Sequence, residues 1–451
     1  MGNSNRLWPS FFKNISGVTL TAIAVTQLPI AKAEYNFTYG DLSGSTSVLV
    51  GGAALSTKGV NFGLGQIDYR SGENHGDRAD WFETFIKPKL ELKYDLNDSV
   101  KFFSGLSFIT THTSGDGDAG GYTRGGDGRT SWEDLYLGAQ YKDLSISAGR
   151  QSYVIGNGFI IADGHLGMLD EGTYWGDPRR AFEDTIILRY AGKSAFSAEA
   201  FTVTTDKHMG HQKLSGINMD YNSTYGKLGA AYIHVSDTDS NFQRTAPKNG
   251  MNVYDFRLMS MKLPGIDDLT LDAEYAVQRG SGEGVEFKGN AWYAQAAYTF
   301  SALPATPQIT YRYAAFSGDD DATDGKRESW DPLAKGYMER GAWVIGDITG
   351  NYLLNNSNEV VGMWKAAFPI TPEVTLGAAY YDFDLDKRNY YGTAVSSKEF
   401  ADEAAIFADL TLTKNAYITL SYNQVKPKTA AKEVFGDKDF SAFQVYATYL
   451  F

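Results

Sequence analysis

Short stretches in which apolar and polar residues alternate recur along most of the chain. The clearest is 441–451, where Phe443, Val445 and Tyr449 fall on one face and Gln444 falls on the other. Successive side chains of a strand point to opposite faces, so this spacing predicts strands with one apolar and one polar face. The chain is therefore predicted to be all-β.

Eighteen segments carry this pattern, with sixteen strands as the alternative count. Pro88 falls inside one of them, where a residue without an N–H predicts either a bulge or a shorter strand. The predicted strands are 45–57, 81–96, 99–112, 130–142, 144–153, 184–193, 195–205, 213–223, 226–236, 250–261, 268–280, 288–301, 306–316, 357–369, 373–384, 401–413, 415–427 and 441–451.

The connections between these segments alternate in length. Short ones such as 142–143 and 413–415 alternate with mostly long polar ones, which include 154–183 and 317–356. Bacterial outer-membrane barrels have this asymmetry, with short periplasmic turns and long extracellular loops. The sequence therefore predicts a transmembrane antiparallel β-barrel, whose lumen holds water unless the two long loops fold into it.

The N-terminal 33 residues differ from the rest of the chain. They contain basic residues and no acid, and a weakly polar apolar run leads to Ala31-Lys32-Ala33. This order of basic, apolar and small-x-small segments predicts a signal peptide over 1–33. Residues 34–451 are predicted to form a single barrel domain in the bacterial outer membrane.

The predicted location implies the partners. We expect the barrel to contact the lipid bilayer and lipopolysaccharide, and to meet a hydrophilic solute in its lumen. Phe451 ends an alternating strand and resembles the C-terminal signal that the outer-membrane assembly machinery reads. Nothing in the pattern decides between a monomer and a trimer.

Composition is consistent with this interpretation. Mean hydropathy is only -0.32, which suits a barrel because only alternate residues of a strand face lipid. The net charge of -13 argues against nucleic acid as a partner, and the absence of cysteine excludes disulfides. Aromatic residues make up 14% of the chain, as expected for interfacial girdles.

Parity within each predicted strand assigns its charged residues to the lumen. In 81–96, Phe82 and Leu90 lie on one face of the strand, and Lys87 and Lys89 lie on the opposite face. A basic residue on the lipid face would cost about 2–4 kcal/mol near the bilayer centre. Facing acidic and basic groups favour small hydrophilic solutes. The predicted pore-lining residues are Lys87, Lys89, Glu91, Lys93, Arg189, Asp255, Arg257, Asp272, Glu274, Arg312, Lys365, Glu403 and Asp409.

Two loops contain aspartates among glycines. Asp116 and Asp118, and separately Asp319 and Asp321, are weak candidates for calcium ligands, because alternate aspartates can surround this ion. Neither pair has the spacing of a calcium-binding loop, and a polar surface loop is the simpler interpretation. We predict no other metal site and no cofactor.

Three classes of function fit such a barrel. The first is a passive channel for hydrophilic solutes, which include acidic sugars. The second is a barrel enzyme, but we identify no serine, histidine and acid set, so no catalytic residue is predicted. The third is a structural or adhesion barrel whose loops bind. Single-channel conductance separates the first class from the others.

Two regions resemble the alginate-export family of outer-membrane proteins. One carries A-G-R-Q at 148–151, G-N-G-F at 156–159 and D-P-R-R-A-F at 177–182. The other carries S-W-D-P-L at 329–333 and W-V-I-G-D-I-T-G-N-Y-L-L at 343–354. The resemblance implies an eighteen-stranded barrel with a basic pore that passes a polyuronate.

The same resemblance suggests which residues narrow the pore. Arg150, Gln151, Arg179, Arg180 and Asp331 occupy the matching motifs and would be constriction residues. The family's pore is strongly basic, whereas parity gives this lumen both signs of charge. We therefore expect small or medium hydrophilic solutes, with acidic sugars or polyuronate-type anions as the more specific expectation.

Overall fold

The computed structural model describes residues 35–192, 195–239, 247–321, 323–336 and 348–451. The predicted signal peptide lies outside the described residues and stays a prediction. No helix among the described residues is long and apolar enough to cross a membrane.

Eighteen antiparallel strands, each hydrogen-bonded to its neighbours along the chain, form the wall. They are β1 (Leu42–Lys58), β2 (Arg78–Asp95), β3 (Val100–Gly115), β4 (Thr130–Tyr141), β5 (Leu144–Gln151), β6 (Phe182–Ala191), β7 (Phe196–Thr204), β8 (Lys213–Ser223), β9 (Gly226–Asp237), β10 (Met251–Leu263), β11 (Ile266–Gly282), β12 (Asn290–Thr299), β13 (Gln308–Phe316), β14 (Glu359–Thr371), β15 (Val374–Leu385), β16 (Glu399–Thr413), β17 (Ala416–Pro427) and β18 (Phe440–Leu450).

The barrel closes where the first strand meets the last. Leu49 of β1 lies opposite Leu450 of β18, and Lys58 lies opposite Ser441. Phe451 continues this pairing, since its N–H donates to the carbonyl of Val48 at 2.9 Å. The predicted transmembrane barrel and its count of eighteen strands are confirmed, and the alternative of sixteen is wrong.

Short elements decorate this wall. Three short strands extend the same sheet at Tyr35–Tyr39, Val285–Phe287 and Lys326–Arg327, and a small hairpin joins Asn389–Tyr390 to Thr393–Ala394. In the part of the chain that the structure describes, the helical segments are Val60–Gly63, Leu169–Glu171, Lys207–Met209, Thr349–Leu353 and Thr429–Val434.

The outer face of the wall is apolar, as its membrane position requires. Leu137, Phe256 and Ile406 are among its most exposed side chains. Aromatic residues beside the short turns, including Tyr141 and Tyr221, are also exposed and mark the periplasmic interface. Alternation between lipid and lumen therefore explains why these sequences form strands.

Pro88 does not interrupt its strand. β2 runs through it, Val48 of β1 lies opposite it, and no register shift occurs there. On the other side, the ladder to β3 omits Lys87 and Pro88 and resumes in register at Lys89. The predicted bulge or shortened strand is therefore wrong, because the missing N–H falls where the ladder forms no pair.

Two long loops fold into the extracellular half of the lumen. We name the connection of residues 152–181 loop L3, and the described residues of the connection 317–358 loop L7. L3 contacts inward side chains of β2, β4, β12 and β18, which are spread around the barrel. A segment that touches strands on several sides of a closed wall lies inside it, so the loops occupy the mouth of the lumen.

Candidate functional site: the lumen and its loop plug

L3 and L7 hold each other in the mouth of the lumen. Ile161 and Ala334 form an isolated parallel bridge. The N–H of Ala162 donates to the carbonyl of Ala334 at 2.7 Å, and the N–H of Gly336 donates to the carbonyl of Gly158 at 2.8 Å. The two loops are thus joined by backbone hydrogen bonds, which satisfy groups that would otherwise be buried without partners.

An aromatic cluster packs beneath this junction. The ring of Phe159 lies 5.8 Å from that of Phe316, 6.0 Å from Trp330 and 5.5 Å from Tyr293. Phe159 and Trp330 come from the two loops, while Phe316 and Tyr293 come from the wall. The plug formed by L3 and L7 therefore has an apolar core of its own inside a polar lumen.

Glu83 of β2 fixes one end of L3. Its carboxylate accepts the N–H of Trp175 at 3.1 Å, that of Gly176 at 2.7 Å and the indole N–H of Trp81 at 3.2 Å. The side chain is buried, with its residue only 1% exposed. A carboxylate that accepts consecutive backbone N–H groups holds the loop with charge-assisted bonds.

Two further glutamates bind the plug in the same way. Glu133 of β4 accepts the N–H of Arg180 at 2.8 Å and that of Ala181 at 3.4 Å. Glu403 of β16 accepts the N–H of Thr349 in L7 at 2.8 Å. We call Glu83, Glu133 and Glu403 the clamp glutamates, because each joins the wall to consecutive amides of an inserted loop.

Alternation along the sequence did not identify Glu133 as a residue that faces the lumen, and the structure gives the reason. The pairing of β3 and β4 shifts register between Ser107 and Phe108, so β4 has one extra residue at this point. Trp132 is exposed toward lipid, whereas Glu133 and Asp134 are both buried. A bulge that turns two consecutive side chains inward cannot be recognised from alternation alone.

A second buried cluster lies on the wall between β8 and β11. Arg257 contacts Asp255, and its Nη2 lies 3.3 Å from Asp220. Glu274 lies opposite Arg257 in the pairing of β10 with β11. Gly156 of L3 has a φ of +60°, and a Cβ at this position would lie 2.7 Å from the Cδ of Arg257. L3 therefore passes directly over this cluster, and glycine permits that approach.

The predicted lumen charges nearest the periplasm are more open. Lys89 and Glu91 form an ion pair at 2.7 Å with side chains 36% and 46% exposed. Lys93 pairs with Asp95 at 3.5 Å, and Arg189 pairs with Glu199. These ions remain in contact with solvent, in contrast to the clamp glutamates.

A cavity of about 450 Å³ opens on this side of L3. Lys87, Lys89 and Arg189 line it from β2 and β6. Lys87 also marks its upper boundary, since its Nζ lies 3.4 Å from the carbonyl of Pro178 in L3 and 3.9 Å from Glu133. Serine hydroxyls and Tyr136 add polar groups to the lining, and Leu49, Phe103, Ile187 and Leu450 add apolar ones.

The remaining predicted pore-lining residues lie on other strands. Asp272 accepts the side-chain N–H of Gln295 at 3.0 Å, and the Nε of Arg312 donates to Gln295 at 2.8 Å. Asp409 accepts the hydroxyl of Thr419 at 2.6 Å. Lys365 is half-buried. Asp272 and Arg312 thus share Gln295 as a partner, and none of these residues lines the β2–β6 cavity.

The residues suggested by the family resemblance lie along the base of L3 and on L7. Arg150 lies 3.4 Å from Glu183, and the amide of Gln151 donates to the hydroxyl of Thr185 at 2.6 Å. Arg180 pairs with Asp163 at 2.8 Å. Asp331 accepts from Lys248 at 2.8 Å. Burial alone would raise the pKa of Asp331, but the ammonium of Lys248 lowers it.

Arg179 is the most buried of these residues. It is 5% exposed, and its Nη1 lies 2.6 Å from Glu171 in the same loop. Burial alone would raise the pKa of Glu171, but the neighbouring His165, Arg179 and Arg129 lower it to about 2. L3 therefore carries an internal ion pair in addition to its bonds to the wall.

Three of the four calcium candidates accept N–H groups of their own loops, and Asp116 accepts one from β2. Asp118 is fully buried and accepts the N–H groups of Gly120 and Thr123, and burial raises its pKa to about 6. Asp116 accepts the N–H of Asp80 at 2.9 Å. Asp319 accepts the N–H of Asp321 at 3.0 Å, and Asp321 in turn accepts that of Thr323 at 3.0 Å. These bonds explain the aspartates as turn residues.

Comparison with known proteins supplies the family. The family model for alginate export matches residues 134–426, which is more than half of the 451-residue chain. No curated protein sequence matches.

Solved structures share the fold at low sequence identity. The outer membrane protein OpdK from Pseudomonas aeruginosa is 11% identical, with a TM-score of 0.60 over 90% of this chain and 98% of that chain. OccK5 (OpdH) from the same organism is 11% identical, with a TM-score of 0.57 over 90% and 97%. A BenF-like porin from Pseudomonas fluorescens Pf-5 is 11% identical, with a TM-score of 0.57 over 90% and 98%.

Proposed function

The chain belongs to the alginate-export family, and from that premise we propose that it passes small hydrophilic anions, acidic sugars among them, along a cationic wall of its inner lumen. It is a porin-like barrel of the bacterial outer membrane.

The cationic lining of the β2–β6 cavity carries this proposal. Lys87, Lys89 and Arg189 contribute three positive groups to the lining, and Asp134 contributes its one carboxylate. Each of these cations also contacts a carboxylate outside the lining, respectively that of Glu133, Glu91 and Glu199. Charged side chains along a narrow aqueous passage set its ion preference. Cations that line the passage raise the local concentration of anions where they face it.

The other lining groups favour a hydroxyl-bearing solute. Ser47, Ser145 and Ser147 present hydroxyls to the same cavity as the three cations. A hydroxyl both donates and accepts, so it can replace water around a sugar ring. The combination suits a sugar acid, whose carboxylate and hydroxyls need both kinds of partner.

The position of the plug favours a small molecule over a polymer as the transported solute. L3 and L7 are joined to each other and to the wall by the clamp glutamates, so they restrict the extracellular mouth. A polyuronate chain would require L3 to leave the lumen. A monomeric or short acidic sugar needs only the space beside it.

Reversal potential across a salt gradient in a planar bilayer tests the selectivity. We expect the wild-type channel to prefer anions and the variant Lys87→Gln/Lys89→Gln/Lys93→Gln to lose much of that preference. Lys142→Gln is the control, because Lys142 lies in a periplasmic turn with its Nζ 5.2 Å from the Tyr141 ring centroid. Equal selectivity in the triple variant and the wild type would overturn the proposal.

The C-terminus gives a separate proposal about assembly. Phe451 remains our candidate for the signal read by the outer-membrane assembly machinery, supported by its place at the closing seam of the barrel. Phe451→Ala should reduce the amount of folded barrel in the outer membrane. The purified variant, refolded in detergent, should still close because the strand pairing is retained.

A further inference from the structure

A compact set of metal-ligating side chains lies at the junction of L3 with the loop of residues 205–212, which we name L4. His165, Glu171 and His208 each offer one ligand atom, and these atoms lie within 4.8 Å of one another. All three residues are buried, at 2%, 4% and 5% exposure. The first two come from L3 and the third comes from L4.

The spacing suits a small divalent ion. The Nε2 of His165 lies 3.7 Å from Oε2 of Glu171 and 3.5 Å from Oδ2 of Asp206. Zinc binds nitrogen and carboxylate oxygen at about 2.0–2.2 Å in a tetrahedron, which separates two ligand atoms by roughly 3.4 Å. The groups therefore already stand close to the distances that coordination requires.

Asp206 provides the outer support that metal-binding histidines usually have. Its Oδ2 lies 3.0 Å from Nδ1 of His208, and its Oδ1 accepts the N–H of Met209 at 3.1 Å. A carboxylate bonded to one imidazole nitrogen orients the ring and raises the basicity of the other nitrogen. Asp206 is itself held by L4, so the ring of His208 has a fixed direction.

The second imidazole nitrogen of His165 makes no competing contact. The Nδ1 is buried and has no hydrogen-bond partner among the described residues. The Nε2 is the nitrogen that faces Glu171 and Asp206. No contact at Nδ1 among these residues therefore opposes coordination of an ion through Nε2.

Three cations contact the carboxylate of Glu171. Arg179 donates to Oε2 at 2.6 Å, Arg129 donates to Oε1 at 2.8 Å, and the Nζ of Lys207 lies 4.0 Å from Oε1. A carboxylate oxygen has two lone pairs, so Oε2 can accept from Arg179 and also bind a cation. The positive charges weaken the binding of a cation at this site.

We propose that His165, Glu171 and His208 bind a zinc-like divalent transition metal ion, with Asp206 as the positioning residue. Two imidazoles and a carboxylate leave a fourth position for water or for a shift of Asp206. The bound ion joins L3 to L4 and so fixes the outer end of the plug. This inference is independent of the solute that the lumen selects.

Cobalt binding tests the site directly. Purified full-length protein without a polyhistidine tag is titrated with Co²⁺ in detergent, and the visible absorption of tetrahedral cobalt is recorded. We expect saturable absorption that Zn²⁺ abolishes. His208→Ala and His165→Ala should each remove it, and Asp206→Asn should weaken binding by about 10–100-fold.

His211→Ala is the matched control. His211 lies three positions from His208, is 44% exposed and sits 3.2 Å from Glu183. Its removal should leave the cobalt spectrum unchanged. Heat-dependent mobility on a denaturing gel checks that every variant forms a barrel. In Asp206→Asn, the side-chain oxygen can still accept the N–H of Met209.

Three results would overturn the proposal. The first is a wild-type protein that shows no tetrahedral cobalt spectrum, and the second is a spectrum that persists in folded His165→Ala and His208→Ala. Loss of the spectrum in His211→Ala with retention in His208→Ala would assign the ion to another site and would also contradict it.

Discussion

The extracellular and periplasmic halves of the lumen use the same kinds of charged residue in opposite ways. In the extracellular half, the clamp glutamates are buried and bind loop amides. In the periplasmic half, ions such as Lys89 and Glu91 pair with each other while remaining in solvent. The contrast shows that the role of an inward-facing charge on a barrel strand depends on whether a loop packs against it.

Removal of a clamp glutamate should therefore lower the free energy of unfolding far more than removal of a solvent-exposed ion. Glu83→Ala leaves the N–H groups of Trp175, Gly176 and Trp81 without their acceptor. Each unsatisfied buried donor costs about 1–3 kcal/mol, so the free energy of unfolding should fall by at least about 3 kcal/mol. Denaturant unfolding in detergent, followed by tryptophan fluorescence, measures this change.

Glu91→Ala is the control for that measurement. The side chain of Glu91 is 46% exposed, and its carboxylate forms an ion pair with Lys89, whose side chain is 36% exposed. Exposed pairs contribute about 0–1 kcal/mol. Equal losses in the two variants would contradict the distinction between the two halves.

The buried wall cluster should show the next largest effect. Arg257→Ala removes the cation from Asp255 and Asp220, which are 0% and 8% exposed. Breaking a buried ion pair from one side costs about 3–5 kcal/mol. Arg189→Ala is the matched change in the open half, because Arg189 is 50% exposed beside Glu199.

That comparison is made by the same unfolding experiment. We expect Arg189→Ala to change the free energy of unfolding by less than about 1 kcal/mol. A loss for Arg257→Ala that is no larger than for Arg189→Ala would show that the cluster beneath L3 is not sealed from solvent.

A smaller and pH-dependent effect is expected from L7. Burial lowers the pKa of Lys335 to about 7, although Glu359 and Asp163 oppose this shift. Between about pH 7 and about pH 10.4, the unfolded chain holds a proton that the folded chain has released. Stability should therefore rise with pH across this window, and the cost of the buried ammonium is fully present below it.

Thermal unfolding across that window checks the sign. Lys335→Met should reduce the rise with pH, whereas Lys58→Met, at an exposed strand end, should leave the rise unchanged. Parallel pH profiles for wild type and Lys335→Met would contradict the assignment.

Alternation predicted the wall because each strand residue faces either lipid or lumen, and the eighteen strands lie close to the predicted bounds. The loops could be predicted only by length. Their positions depend on contacts distant in sequence, such as that of Trp175 with Gln444, which are 269 residues apart. No local pattern encodes such a contact.

The candidate sites illustrate the same limit. Lys87 and Lys89 were identified from parity, whereas the bulge in β4 concealed Glu133. His165 and His208 meet only because L3 turns inward and packs against L4. Scattered histidines therefore gave no sign of a metal site in the sequence.

Single-channel conductance in a planar bilayer tests most directly whether the clamp glutamates hold the plug in the lumen. The double variant Glu83→Ala/Glu403→Ala releases one amide clamp from each loop, and Glu91→Ala is recorded beside it. The account predicts larger or strongly fluctuating conductance steps for the double variant and wild-type steps for Glu91→Ala. Conductance of the double variant equal to that of the wild type, in a folded barrel, would contradict it.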